Sequence, residues 1–145
     1  MKFSTRSRYG LRFMIELATR SNCGRPILLR EVSLSQDIPE KYLSKIVLPL
    51  KTAGLIISAR GAKGGYILGK DAKDITAYDI IKVLESDIAP VDCINTKNCN
   101  RYKVCSAKDF WSELNGVVID FLKSKNLQNL SEENLKIQSD SMYYI

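Results

Sequence analysis

Residues 38–68 read IPEKYLSKIVLPLKTAGLIISARGAKGGYIL, and the organisation of the whole chain can be worked outward from them. Tyr42, Leu43, Ile46, Val47 and Leu50 recur at three- and four-residue steps, which makes one face of a helix apolar. Glu40, Lys41, Ser44, Lys45 and Lys51 stay on its wet side. Pro39 suits the first turn of this helix and Gly54 its C-terminal end, while Pro49 is expected to kink or shorten it. From Leu55 to Ser58 a β-branched apolar run follows, turns through Arg60-Gly61-Ala62-Lys63-Gly64-Gly65 and returns along Tyr66 to Leu68. Three glycines at the tip let the backbone approach another surface closely. A helix with a free polar face, joined to a thin cationic hairpin, suits duplex DNA: the helix in the major groove, a guanidinium in the narrow, electronegative minor groove. For the hairpin alone, two solvated surface charges are the alternative, and the helix set directly before it weighs against that.

Upstream, Ser4 or Thr5 caps a first helix over 5–20, with Leu11, Met14, Ile15 and Ala18 as its apolar stripe and Tyr9 and Phe13 flanking. Arg6, Arg8 and Arg12 crowd its first turns, where cations oppose the helix dipole and are better placed for phosphates. For Arg12, simple solvation is an equal alternative. A turn at 22–26, a short strand at Ile27 and Leu28, and a second helix over 29–36 lead back to the opening stretch. Helix, turn, second helix and hairpin in this order make a winged helix-turn-helix, so the fold class is mainly α with a small β-hairpin wing, occupying residues 1–85.

Downstream, Thr76 opens a helix with Ile80, Ile81, Val83 and Leu84 inside. Residues 86–108 show no clear periodicity and read as a cysteine-rich loop, functional or disordered. A long amphipathic helix over 109–123 carries Phe110, Trp111, Leu114, Val117, Val118, Phe121 and Leu122. That is more apolar surface than a lone peripheral helix hides, which points to pairing with its copy in a second subunit; packing on the first helix is the alternative. Ser131 starts a short capped helix, and the tail ending Met142-Tyr143-Tyr144-Ile145 is expected to be mobile or docked on the dimer. Residues 109–145 thus form a dimerisation helix and tail within one structural domain.

The 145 residues suffice for one core, not two. The net charge of +6 is unevenly spread: residues 1–70 hold thirteen Lys/Arg against four Asp/Glu, and 71–145 hold nine against twelve. A basic half joined to a mildly acidic one is the footprint of a nucleic-acid-binding segment attached to a segment with other duties. With no histidine, Ser-His-Asp and Cys-His catalytic arrangements are excluded, which weighs against an enzyme. Nor does Gly61-x-x-Gly64-Gly65 have the strand-to-helix context of a phosphate loop. No apolar run approaches a membrane span and the opening MKFSTRSRYG lacks a signal's apolar region, so no membrane partner and a cytoplasmic location are expected.

In that compartment the cysteines are thiols or metal ligands sooner than disulfides. Cys93-x5-Cys99-x5-Cys105 is evenly spaced within one loop, and thiolates are the ligands iron–sulfur clusters prefer. A structural zinc site, which favours Cys-x2-Cys pairs, and a metal-free redox switch are the alternatives. Cys23 reads as a partly buried small side chain.

STRSRYGLRFMIELA, IPEKYLSKIVLPLKTAGLI, SARGAKGGYIL, ITAYDIIKVLES and the three-cysteine loop together resemble the Rrf-type winged-helix transcription regulators, within them the iron–sulfur cluster assembly regulators, over nearly the whole chain. The resemblance implies a homodimer on a palindromic double-stranded DNA operator, with a [2Fe-2S] cluster held by Cys93, Cys99 and Cys105. Glu40, Lys41, Tyr42, Ser44 and Lys45 lie on the helix that would enter the major groove, with Ser44 and Lys45 facing bases. Arg60 would enter the minor groove on a wing formed with Gly61, Lys63 and Gly64. Arg6, Arg8, Lys41, Lys51 and Lys63 would anchor phosphates. Two departures stand out. The histidine expected three residues after the last cysteine is Lys108, leaving Asp92, Ser106 and Asp109 as fourth-ligand candidates. A glutamate used for site discrimination is replaced by Ser44. Relatives that control cysteine metabolism supply a metal-free alternative on the same fold.

Overall fold

Ser4 caps the first helix as expected, its hydroxyl accepting the Ser7 N–H at 3.2 Å, and α1 runs Thr5–Thr19. In the computed structural model, which describes residues 2–143, α1 is the rod on which most of the other elements pack. Phe13, Met14 and Leu17 on α1 meet Val32, Ile38, Leu43, Ile46, Leu50, Ile56, Ile75, Ile80 and Leu127 in the main core, all at most 2 % exposed.

The second helix, α2, spans Leu29–Gln36, and Asp37 ends it in the left-handed conformation at φ 50°, turning buried Ile38 inward. The third, α3, spans Glu40–Thr52. Pro49 does not shorten it, contrary to the sequence expectation. Pro49 has no N–H to give the Lys45 carbonyl, yet the helix runs on past it to Thr52. Fully buried Leu50 holds the last turn, and the helix closes with the Leu55 N–H on the Leu50 carbonyl and the Gly54 N–H on the Lys51 carbonyl, both at 3.0 Å.

The hairpin consists of β1, Ile56–Ala59, and β2, Gly65–Leu68, antiparallel with Ile56 opposite Leu68 and Ala59 opposite Gly65. Ile27 adds a bridge on the other edge, exchanging bonds with Tyr66 at 2.9 and 2.8 Å, so the expected short strand is a single residue that fastens the wing to the body. The bridge demands glycine at 65: φ is +141° there, and a Cβ would stand 2.6 Å from the Ile27 carbonyl oxygen.

Thr76 and Asp79 form a capping box at the start of α4, Ala77–Leu84. The following stretch is not featureless. It contains a one-turn helix, α5, Cys93–Thr96, and a 3-10 turn, Tyr102–Val104. The long helix α6 covers Lys108–Ser124 and packs on α4 instead of α1, with Leu122 against Ala77 and Ile81. The C-terminal segment departs most from expectation. A sixteen-residue helix, α7, Leu127–Met142, is capped by Asn126, whose side chain accepts the Asn129 N–H, five residues before the expected cap at Ser131. It lies on α1 of its own chain, with Leu127 fully buried and the Asn134 amide donating to Thr19 Oγ1 at 3.1 Å. The expected tail at Tyr144 and Ile145 falls outside the described residues. No helix is long and apolar enough to cross a membrane among the described residues.

Candidate nucleic-acid interface and thiol arm

The two faces of α3 are cleanly divided. Leu43, Ile46, Val47 and Leu50 are at most 5 % exposed, while Glu40, Lys41, Ser44, Lys45, Leu48 and Lys51 face out. Tyr42 is half-buried edge-on to Tyr9, ring centroids 5.4 Å apart, so much of its side chain belongs to the α1–α3 contact. Two hydroxyls of the outer face turn back on the helix: Ser44 Oγ donates to the Glu40 carbonyl and Thr52 Oγ1 to the Leu48 carbonyl, both at 3.0 Å.

The wing tip is exposed at Arg60, Gly61 and Lys63 and half-buried at Gly64. Leu28, Arg30 and Glu40 border one hollow together with Ser58, Gly61 and Gly64, which sets the wing beside the starts of α2 and α3. Among the described residues, Arg6, Arg8, Lys41, Lys45, Lys51, Arg60 and Lys63 are in no salt bridge; Arg8 donates only to Thr5 Oγ1 at 3.0 Å. Of the cations that do form bridges, Arg20 and Arg25 serve the scaffold, and Lys73 meets Asp71 at 3.7 Å on the surface. The Glu16 carboxylate, 2 % exposed, takes Arg20 Nε at 2.7 Å, Ser35 Oγ at 2.9 Å and Gln36 Nε2 at 3.0 Å, tying α2 to α1. Arg12, which could have been a phosphate anchor, grips the Gln36 side chain and carbonyl and stacks on Tyr9. Arg25 chelates Glu31 at 2.6 and 3.0 Å; together with the Leu28 N–H, it holds the Glu31 carboxyl at about 2.

Residues 86–107 form the thiol arm between α4 and α6. Cys93 opens α5, Cys99 lies exposed in the turn beyond it, and Cys105 follows the 3-10 turn half-buried. Among the described residues, no group of three or more Cys, His, Asp or Glu side chains is gathered to hold a metal. The arm instead closes on its own contacts. The Asn95 amide donates to Asp87, and the Lys108 ammonium sits 5.3 Å from the centre of the Tyr102 ring, so the position expected to carry a fourth ligand presents a cation engaged elsewhere. In this conformation the three thiols do not fit a [2Fe-2S] cluster. Cys23 is exposed, not partly buried, because it ends a surface 3-10 turn that nothing covers.

Three functional features were not singled out in the sequence. Leu48 is 68 % exposed on the outer face of α3, a position a helical projection assigns opposite Leu43, Val47 and Leu50. Glu85, where α4 passes into the arm, accepts the Ser4 N–H at 2.7 Å and so joins the arm to the start of α1. Burial opposes its ionisation, but the nearby Ser7 hydroxyl, which has no well-formed hydrogen bond, and the Ser4 N–H keep its carboxyl below the usual range. No local sequence signal marks that contact. The third is the division of α6 into two seams: Trp111, Val118 and Leu122 lie towards the body, and Phe110, Leu114, Val117 and Phe121, stepping by four, three and four, lie outward. Phe110, Val117 and Phe121 are 61, 66 and 59 % exposed.

Residues 3–133 match the family described as Rrf2, Iron-dependent Transcriptional regulator. The chain is similar to the HTH-type transcriptional regulator CymR of Bacillus subtilis (strain 168), 39 % identical over 145 residues and 100 % of both chains. It is also similar to the HTH-type transcriptional regulator IscR of Photorhabdus laumondii, 31 % identical over 90 % of this chain and 79 % of that one. Among solved structures, that of CymR, the global cysteine regulator of B. subtilis, superposes with a TM-score of 0.78 at 38 % identity, covering 92 % of this chain and 98 % of that one. IscR of T. potens superposes with a TM-score of 0.77 at 30 % identity, covering 95 % and 91 %.

Proposed function

Because the chain belongs to the Rrf2 family of transcriptional regulators, whose winged-helix members bind DNA and dimerise, we propose that two copies grip a palindromic operator through α3 and the wing and that the thiol arm governs that grip. It is a regulator, not an enzyme. The observation that carries the reading is the set of cations on α3, the wing and the start of α1 that are in no salt bridge among the described residues. Ser44, Lys45 and their neighbours on the outer face of α3 meet base edges in the major groove. Arg60 enters the minor groove on a wing whose Gly61 and Gly64 keep it thin. Arg6, Arg8, Lys41, Lys51 and Lys63 take phosphates, Glu40 and Tyr42 border the contact, and a cytoplasmic location goes with this role. Each lysine removed should flatten the salt dependence of binding by about one unit per contact, hence about two per dimer. If Arg60→Ala leaves operator affinity unchanged, the wing has been misassigned.

The outer seam of α6 pairs with its copy, since a four-three repeat of Phe110, Leu114, Val117 and Phe121 is the pattern two helices bury together. The arm senses iron–sulfur or redox status. Cys93, Cys99 and Cys105, with Asp92, Ser106 or Asp109 as a fourth donor, are the ligands for a [2Fe-2S] cluster in the reading that the similarity to IscR supports. The arm would have to rearrange to gather them. The separation of the thiols and the full-length similarity to CymR favour a second reading, a metal-free arm that responds through thiol oxidation or a partner protein. In either case Glu85 is the contact through which a change in the arm reaches α1, where Arg6 and Arg8 sit. The deciding experiment is a visible spectrum and iron determination on anaerobically purified protein, with a gel shift on duplex DNA. Brown protein that Cys99→Ala bleaches supports the cluster; colourless protein whose DNA affinity falls after peroxide supports the thiol switch. Failure to bind any duplex removes both.

A further inference from the structure

We infer that Leu48 reads the 5-methyl group of a thymine in each operator half-site, an inference that rests on the placement of α3 in the major groove. Lys41, Lys45, Leu48 and Thr52 follow one another at steps of four, three and four, so they line a single face of α3, with Ser44 beside them. The chemistry this face offers is narrower than its residue types suggest. Both hydroxyls donate to backbone carbonyls of their own helix, Ser44 to Glu40 and Thr52 to Leu48, which leaves their oxygens facing a base as acceptors. The two lysines donate to guanine acceptors or to phosphates. Leu48 is the large apolar side chain that this face exposes. It is 68 % exposed, while Leu43, Val47 and Leu50 are at most 5 % exposed.

In the major groove the apolar feature that distinguishes one base from the others is the thymine methyl, and an isobutyl side chain gains from covering it what it gains from leaving water. Burying one methyl corresponds to a factor of about four per half-site, the equivalent of about 0.8 kcal/mol, hence roughly fifteenfold for a symmetric operator. The aliphatic contact carries no charge, so its loss should leave the salt dependence of binding unchanged, unlike the loss of Lys41 or Lys45.

The test takes the duplex that the full-length protein enriches from a randomised pool and replaces each symmetry-related pair of thymines in turn by uracil, which removes only the methyls. The expected result is one symmetric pair of positions at which uracil weakens binding roughly fifteenfold. Leu48→Ala should then bind the thymine and uracil duplexes equally, with an unshifted melting temperature because the side chain is exposed, while Leu48→Met keeps a penalty for uracil. A wild-type protein indifferent to uracil at every position overturns the inference without any variant being made. So does a uracil penalty that survives in Leu48→Ala, which would assign it to DNA shape. If no duplex is enriched, the DNA-binding reading itself fails, and the two failures are told apart.

Discussion

Replacing Gly65 by alanine should loosen the wing from the body. The added Cβ would lie 2.6 Å from the carbonyl oxygen of Ile27, 2.7 Å from its carbonyl carbon and 3.0 Å from its nitrogen. All three are backbone atoms, so no side chain can swing aside, and the Ile27–Tyr66 bridge must open. That forfeits two hydrogen bonds, each worth about 1 kcal/mol net. Alanine held at φ +141° costs about 1–3 kcal/mol more. The total, about 3–5 kcal/mol, should lower the melting temperature by about 10–15 °C in a chain of this size. Circular dichroism melts at matched protein concentration read this, since the stability of a dimer depends on concentration. Gly24→Ala is the companion measurement. Gly24 also has a positive φ, +68°, but nothing lies within 4 Å of its Cβ position, so only backbone strain of about 1–2 kcal/mol applies. If Gly65→Ala melts no lower than Gly24→Ala, the steric argument is wrong and Ile27 does not anchor the wing.

Three further outcomes follow from named contacts. Glu31 has a folded pKa of about 2, below its ordinary value of 4.5, so its stabilising effect is complete above pH 4.5 and disappears as pH falls from there towards 2. Its pair with Arg25 faces water, so Glu31→Gln should remove no more than about 1 kcal/mol at neutral pH and flatten the acid limb of a stability–pH curve over that window. Val117→Glu combined with Phe121→Glu puts charge on the outer seam of α6 without touching the core; sedimentation should then show monomer with its helical content intact, and operator affinity should fall at least a hundredfold. Glu16→Ala removes the carboxylate shared by Arg20, Ser35 and Gln36, leaving Arg20 only the more distant Glu31 and Ser35 only the Val32 carbonyl, at a cost of about 2 kcal/mol in urea unfolding, and Glu16→Gln should recover part of it by keeping the hydrogen-bond geometry.

The bounds of α2, the capping of α1 by Ser4 and of α4 by Thr76, and the pairing of β1 with β2 were all legible in the chain, because each rests on side chains within four residues of one another or on a turn that joins neighbours. The outer face of α3 and the cationic wing were legible for the same reason, since helical projection and turn composition are local properties. Pro49 misled because its cost is local but its compensation is not. Leu50, buried among residues of other elements, holds the turn that the proline weakens. The C-terminal helix was read too short because Asn126 and Leu127 give a weak local signal, while the α1 surface that buries Leu127 lies more than a hundred residues away in sequence.

Composition and periodicity thus settle that this polypeptide builds a helix-turn-helix with a glycine-thinned cationic wing, followed by an arm of three evenly spaced thiols. Those features depend on residue type and short-range spacing, which any conformation of the chain preserves. Which charges remain free for DNA, and which are consumed, is another matter. Arg12 on Gln36 and Glu85 on Ser4 are partnerships that exist only once the elements have packed. Pairwise electrostatics and burial depend on distances across the fold, and those distances are set by how helices seat on α1, not by their order along the chain.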